Sequence, residues 1–143
     1  MKYNEFDRLI AHVENIELAA KDKGLAKLGD EIINFCFSLA KSIFLKTCTG
    51  EKVSAKILAK AMKNSNLRDY AKLRAKSHDI ADAAEAIIAY SFLSKKVTID
   101  EIIDILLEGY IKYNEDGGSS TDLDSNALTF LLLHLKDEAE YQS

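Results

Sequence analysis

Residues 25–37 have the sequence LAKLGDEIINFCF, and a second stretch, residues 81–90, has the sequence ADAAEAIIAY. Both stretches place acidic residues inside runs of apolar, helix-forming residues, where an unpaired charge is costly to bury. Asp82 and Glu85 are three residues apart and therefore share one face of a helix. Clustered carboxylates of this kind need a compensating partner, and a divalent cation suits them. We therefore predict that Asp30, Asp82 and Glu85 are ligands of one metal site.

The composition predicts a single helical domain that spans residues 1–143. The chain is 48% hydrophobic and contains no proline, so the abundant helix formers meet no forced break. A chain of this length buries a core without disulfides, and Cys36 and Cys48 are expected to be free thiols in a reducing cytoplasm. No run of about 18 uncharged apolar residues predicts a membrane span, and no signal peptide is apparent. We expect a cytoplasmic protein that does not contact membranes.

The net charge of −4 hides an asymmetry between one segment and the rest of the chain. Between residues 52 and 76 the only acid is Asp69, whereas eight residues are basic: Lys52, Lys56, Lys60, Lys63, Arg68, Lys72, Arg74 and Lys76. The local charge is +7, and the remainder carries −11. Such a basic segment in an acidic protein is a candidate binding site for a polyanion, although a solvated helix face is the simpler explanation.

Hydrophobic spacing and capping residues predict an all-α fold of about seven helices. The expected helices run from Asn4 to about Ala20, from Leu25 to Leu45, from the cap Ser54, around Leu67, Tyr70 and Leu73, from the cap Ser77, from a Thr98–Glu101 capping box, and from Ser125 to Glu140. Residues 114–124, rich in Gly, Ser and Asp, are expected to be the longest loop.

The two acidic stretches resemble the motifs of the ribonuclease III endonuclease domain. LAKLGD is similar to that family's signature, usually Leu-Glu-Phe-Leu-Gly-Asp, and ADAAEAII is similar to its second motif, Ala-Asp-Ala-Phe-Glu-Ala-Ile-Ile. Helices and a basic segment separate the motifs, as they do in the family, so the resemblance extends over residues 25–107. It implies an all-α, ribonuclease III-like endonuclease domain.

The resemblance also implies roles for the three acids. Asp30 matches the signature aspartate, while Asp82 and Glu85 match the acids of the second motif, and all three positions bind metal in the family. Glu85 and Asp30 would be the catalytic residues, with Mg²⁺ as the cofactor and Mn²⁺ as a substitute. Carboxylate-held Mg²⁺ can both acidify a water molecule and stabilise the leaving oxygen of a phosphodiester.

One of the four carboxylates of the family pattern is missing. The first glutamate of the signature falls on Ala26, and Lys27 stands where an aromatic residue is usual. Glu31 points about 100° away from Asp30 on an ideal helix and is a poor substitute. The chain is therefore either a nuclease-like module that binds RNA or assembles without cutting, or an enzyme with a minimal site. The short Mini-ribonuclease III branch resembles it in having Leu-Ala before Gly-Asp and in lacking a separate RNA-binding domain, and we favour an active enzyme.

The resemblance further implies a homodimer in which each site cuts one strand of a double-stranded or structured RNA. The helix at residues 25–45, with Phe35, Phe37 and Phe44, is expected to contribute to the dimer interface or to the core. A basic groove would suffice to recognise A-form RNA, because such RNA is read by shape and backbone.

Other candidates for chemistry are weaker. His78, one turn before Asp82, could orient a metal ligand or touch phosphate, but a local bond at a helix start is the simpler expectation. His12 and His134 stand at no catalytic spacing, and Ser38, Ser42 and Ser91 lack the glycine pattern of a serine nucleophile. A metal-dependent helical phosphohydrolase for small nucleotides remains a further hypothesis.

Overall fold

The structure is a computed structural model that describes residues 4–114 and 120–141. These residues form seven α-helices, a single 3-10 helix and no strand, which confirms the predicted all-α class. The α-helices are α1 (Asn4–Leu9), α2 (Ile16–Ala19), α3 (Lys23–Leu45), α4 (Ala55–Asn64), α5 (Ser77–Leu93), α6 (Ile99–Asn114) and α7 (Ser120–Tyr141), and the 3-10 helix Arg68–Tyr70 lies between α4 and α5.

Helix α5 is the centre of the fold because apolar residues occupy nearly all of its faces. Residues 83–91 of this helix are all buried, and many are alanines that let neighbouring helices approach closely. Helices α3, α4 and α7 pack on α5, α6 packs on α3 and α7, and all five share the main hydrophobic core. A smaller apolar cluster, which includes Val13, Leu25 and Tyr90, fastens the N-terminal residues to α3 and α5.

Gly29 marks a close approach of α3 to α5. A Cβ atom at this position would overlap the backbone carbonyl of Glu85 and lie 3.0 Å from its Cα. The two helix backbones therefore touch at this point, which leaves no room for any side chain on Gly29. The contact brings the next residue of α3, Asp30, to the level of Glu85.

Several predicted helix limits are confirmed by their caps. The Ser54 side chain accepts a hydrogen bond from the Ile57 N–H at the start of α4. Thr98 and Glu101 form the expected reciprocal capping box before α6. Helix α3 ends at Leu45, as predicted, with Lys46 in the left-handed conformation.

The N-terminal helix prediction is wrong, since two short helices replace the single helix expected from Asn4 to Ala20. The first helix ends at Leu9. Asn15 caps the second, because its side chain accepts a hydrogen bond of 2.9 Å from the Leu18 N–H. Asp22 likewise caps α3 through the Leu25 N–H, so that helix begins two residues earlier than expected, at Lys23.

Two further expectations at helix starts and short turns are also wrong. Ser77 is the first residue of α5 and not its cap. The cap position is Lys76, whose N–H donates a hydrogen bond of 3.3 Å to the Asp79 carboxylate. The short helix expected around Leu67, Tyr70 and Leu73 is a single 3-10 turn. Left-handed residues at Asn66 and Arg74 delimit it.

Helix α7 begins at Ser120, so the last residues of the predicted 114–124 loop are helical. Tertiary bonds hold this first turn: Asp124 accepts hydrogen bonds from Tyr110 Oη at 2.7 Å and Lys41 Nζ at 3.2 Å. The central part of that predicted loop, residues 115–119, lies outside the described residues.

A polar ladder on α3, formed by Asn34, Ser38 and Ser42, holds the chain as it returns towards α4. The side chains of these residues accept hydrogen bonds from the N–H groups of Val53, Glu51 and Thr49, respectively, at 2.8–2.9 Å. Alternate N–H groups of the returning segment thus face α3. No sequence pattern predicted this connection.

Within the described residues, no helix is long and apolar enough to cross a membrane. Cys36 is buried in α3 and Cys48 is exposed beyond its end, and both are free thiols, as predicted.

The contact at Gly29 predicts that Gly29→Ala destabilises the protein. Alanine normally stabilises a helix by about 0.5–1 kcal/mol relative to glycine, but forcing a methyl group against the Glu85 backbone should cost more than about 3 kcal/mol. Chemical denaturation followed by circular dichroism measures the change. Gly50→Ala is the matched control, because its Cβ would meet nothing within 4 Å; equal stability of the two variants would contradict the close contact.

Candidate active site

A cleft of about 350 Å³ opens between α3, α5 and the start of α4. The three acids predicted from the sequence, Asp30, Asp82 and Glu85, all line it. So do the side chains of Lys23, Lys27, Lys52 and His78. The cleft therefore combines carboxylates on its floor with basic groups around them.

Asp30 and Glu85 form a close pair of acids at the Gly29 contact. Glu85 is only 7% exposed. Burial raises its pKa to about 8, and the hydrogen bond with Asp30 and the negative charges of Asp30 and Asp82 act in the same direction. The Lys52 ammonium partly opposes them. A raised pKa of this size favours a protonated Glu85 beside Asp30, and a bound cation could compensate the pair in place of that proton.

Asp82 lies beside this pair, on the turn of α5 before Glu85. Its carboxylate is 3.4 Å from Lys23 Nζ and 3.7 Å from His78 Nε2. His78 therefore contacts one of the predicted ligands and lines the cleft, in addition to standing at a helix start. Its exposed ring leaves it accessible to a bound molecule.

The acids fit a hard divalent cation by their chemistry, since carboxylate oxygens are the ligands that Mg²⁺ prefers. In residues 4–114 and 120–141, however, no three His, Cys, Asp or Glu side chains are arranged to hold a metal ion as they stand. Asp30 and Glu85 already converge, whereas Asp82 is engaged with Lys23. A metal ion held by all three acids would require Asp82 to turn an oxygen towards Asp30 and Glu85.

Ala26 lies in the same cleft, one turn before Asp30. The position therefore belongs to the site although it offers no carboxylate. Glu31 is exposed and does not line the cleft, as its helical position predicts. Nothing on α3 replaces the acid that the sequence pattern lacks at residue 26.

Asn34 is a site residue that the sequence patterns did not reveal. Its Nδ2 donates a hydrogen bond of 2.9 Å to Asp30 Oδ1, and its Oδ1 accepts the Val53 N–H. The only hint in the sequence is its position four residues after Asp30, which places both residues on one helix face.

The basic residues between positions 52 and 76 have different surroundings. Lys52 lines the cleft. Lys60 pairs with Asp122 at 3.2 Å and Lys72 with Asp79 at 3.5 Å, while Arg68 donates to backbone carbonyls. The remaining predicted members, which are Lys56, Lys63, Arg74 and Lys76, are exposed.

The other histidines and serines have local roles outside the cleft. His12 lies 2.7 Å from Asp22, the cap of α3, and His134 packs edge-on against Phe130. Ser91 donates to a carbonyl of its own helix. Ser38 and Ser42 belong to the polar ladder. These contacts give each of the five side chains a structural role, and none of them indicates a nucleophile.

A family model described as Ribonuclease III matches residues 23–137. This range contains every residue that lines the cleft. A comparison with curated proteins finds no match to the chain.

The acid pair predicts that Glu85→Gln stabilises the metal-free protein at alkaline pH. Because the folded-state pKa of Glu85 is raised from 4.5 to about 8, the folded protein binds this proton more tightly than the unfolded chain. Stability should therefore fall as pH rises between these values. Glutamine keeps a hydrogen-bond donor towards Asp30 but carries no charge, so the stability of the variant should decrease much less with pH. At pH 8.5 the variant should melt about 5 °C or more above the wild type.

Thermal unfolding in chelator at pH 5 and pH 8.5 tests this expectation. Glu31→Gln, which removes an exposed charge from the neighbouring helix, is the control and should follow the wild type. Parallel pH profiles for Glu85→Gln and the wild type would show that Glu85 is not held in an unfavourable charged state.

Proposed function

The chain belongs to the ribonuclease III family, and we propose that it is a divalent-metal-dependent endoribonuclease that hydrolyses phosphodiester bonds of double-stranded or structured RNA as a homodimer. The observation that carries the proposal is the convergence of Asp30 and Glu85 in one cleft, with Asp82 beside them. Two carboxylates brought together at a buried position are unfavourable when both are charged, and a bound cation would relieve that repulsion.

The acids would hold Mg²⁺, or Mn²⁺ in its place. The bound ion would supply Lewis acidity for a water nucleophile and for the leaving oxygen of the phosphodiester. Glu85 would give up its proton, and Asp82 would exchange its contact with Lys23 for a place in the site. Lys23 would then be free to bind a phosphate oxygen.

The charge distribution around the acids supports a nucleic acid backbone as the substrate. Lys23, Lys27 and Lys52 line the same cleft as the carboxylates. Lysines bind phosphate groups without reading bases, which suits an A-form duplex recognised through its backbone. Because Lys60, Lys72 and Arg68 are engaged within the protein, we infer that Lys52 and the exposed Lys56 and Lys63 carry more of the RNA contact than the rest of the basic segment.

An exposed apolar stripe on α3 supports the homodimer. Leu28, Phe35 and Leu39 are 38%, 59% and 40% exposed, and their spacing of seven and four residues places them on one face. A contiguous apolar surface of this kind favours association, and a two-fold axis lets one stripe cover another. Of the phenylalanines considered from the sequence, only Phe35 belongs to it, since Phe37 is buried and Phe44 stacks on Tyr110.

Phe35→Glu should therefore convert a dimer to a monomer. The substitution places a charge at the centre of the stripe, where two copies would face one another across the axis. Sedimentation velocity at micromolar concentration measures the change. Leu73→Glu is the control, because Leu73 is 90% exposed but lies away from α3; a monomeric wild type would contradict the dimer.

Asp30→Asn and Glu85→Gln should each lower Mg²⁺-dependent cleavage of a duplex RNA by more than about a hundredfold. Loss of an outer-shell partner alone commonly lowers activity by about 10- to 100-fold, and these residues would be direct ligands. Gel analysis of a labelled duplex measures the rate, and Glu31→Gln should cut as the wild type does. Cleavage by Glu85→Gln at the wild-type rate would contradict the assignment.

The missing acid at Ala26 defines the strongest competing function, a silent RNA-binding or assembly module. That module would bind duplex RNA in chelator and cut it in no metal, and Ala26→Glu would then create activity. Turnover of small nucleotides with indifference to substitutions of Lys52 and Lys56 would instead indicate a nucleotide phosphohydrolase.

A further inference from the structure

We propose that Asn34 is a positioning residue for the candidate active site, because its side-chain amide orients Asp30 and at the same time fixes the backbone next to Lys52. This inference rests on the proposed function, since it concerns the acids that would hold the metal ion. It assigns a role to a residue that neither bears a charge nor lines the cleft.

The hydrogen bonds of Asn34 fix the orientation of its amide. The Val53 N–H can only donate, so the partner at 2.8 Å must be the amide oxygen of Asn34. The amide nitrogen therefore faces Asp30, and it donates to Oδ1 at 2.9 Å. This bond restricts rotation of the Asp30 carboxylate and leaves its second oxygen for Glu85 or a cation. An ionised aspartate at this position could accept from the Val53 N–H but could not donate to Asp30.

The Val53 bond is the last rung of the polar ladder on α3. Four residues of an α-helix rise about 6.0 Å, and two residues of an extended chain span about 6.6 Å, so rungs at residues 34, 38 and 42 match residues 53, 51 and 49 in register. The returning chain is thereby held in step with α3. Lys52 lies between two clamped residues, Glu51 and Val53.

The register of the ladder determines the position of Lys52. It lines the cleft with Asp30 and Glu85, although it lies on the segment between α3 and α4. Loss of the Asn34 rung would release the end of the segment that carries Lys52 and would also free the Asp30 carboxylate. Asn34 thus couples a candidate metal ligand to a candidate phosphate-binding lysine.

The chain offers a matched control at the other end of the ladder. The Ser42 side chain accepts the Thr49 N–H at 2.9 Å, which is the same kind of rung as that of Asn34. Neither Ser42 nor Thr49 lines the cleft. Asn34→Ala and Ser42→Ala therefore both remove a rung from the same helix, but only the first touches the acids.

The experiment measures Mn²⁺ binding to the full chain without RNA by calorimetry, together with thermal unfolding in chelator. We expect both variants to melt below the wild type, because each leaves a backbone N–H without its partner. We expect Asn34→Ala to bind Mn²⁺ about tenfold or more weakly, as for other outer-shell residues, and Ser42→Ala to stay within about twofold of the wild type. Equal Mn²⁺ affinity of Asn34→Ala and the wild type overturns the inference.

A measurement on the wild type covers the case in which Asn34→Ala does not fold. The side-chain amide resonances of Asn34 should shift during a Mg²⁺ titration with the same dissociation constant as the site. Unmoved resonances at saturating Mg²⁺ overturn the inference. If the wild type binds neither Mn²⁺ nor Mg²⁺, the metal-dependent function is overturned as well. If metal binds but neither the Asn34→Ala substitution nor the Asn34 resonances respond, only the positioning role is overturned.

Discussion

The backbone contact between α3 and α5 at Gly29 is the constraint on which the site depends. Because no Cβ fits between Gly29 and the Glu85 carbonyl, the helices touch without side chains to separate them. The residue after this glycine, Asp30, is then held against Glu85, and one turn earlier Ala26 enters the same cleft. A glycine in a long helix is usually a weakness, and in α3 it permits a backbone contact with α5.

The acid pair that results is costly to the fold, and the surrounding structure offsets that cost. Glu85 is the buried acid of α5 and lies among apolar residues, and its raised pKa reflects the lack of solvent around it. The main core shared by α3, α4, α5, α6 and α7 supplies the compensating hydrophobic stabilisation. An unfavourable cluster inside a well-packed helical domain is typical of sites in which stability yields to function.

The polar side of α3 has a second structural task. Its ladder of Asn34, Ser38 and Ser42 seats the segment that leads into α4, and Lys41 bridges Glu51 and Asp124 to join α3, that segment and α7. One helix therefore contributes to the core with one face, to the returning chain with another, and to the proposed dimer with its exposed apolar stripe. The contacts of the ladder place Lys52 in the cleft, and the number of basic residues in the segment does not.

The sequence by itself determined the helical class, the extent of α3 to Leu45, the caps at Ser54 and Thr98, and the three acids, because periodicity, caps and motifs depend on residues within one or two turns. Only the tertiary structure decided that Asp30 pairs with Glu85 while Asp82 turns to Lys23, that Asn34 joins Asp30 to Val53, and that residues 120–124 are helical. Those outcomes depend on groups far apart in the chain: Asn34 and Val53 meet only after the chain has reversed, and Asp124 is held by Tyr110 and Lys41. Local sequence patterns do not contain such distances, because they arise from the packing of α3 on α5.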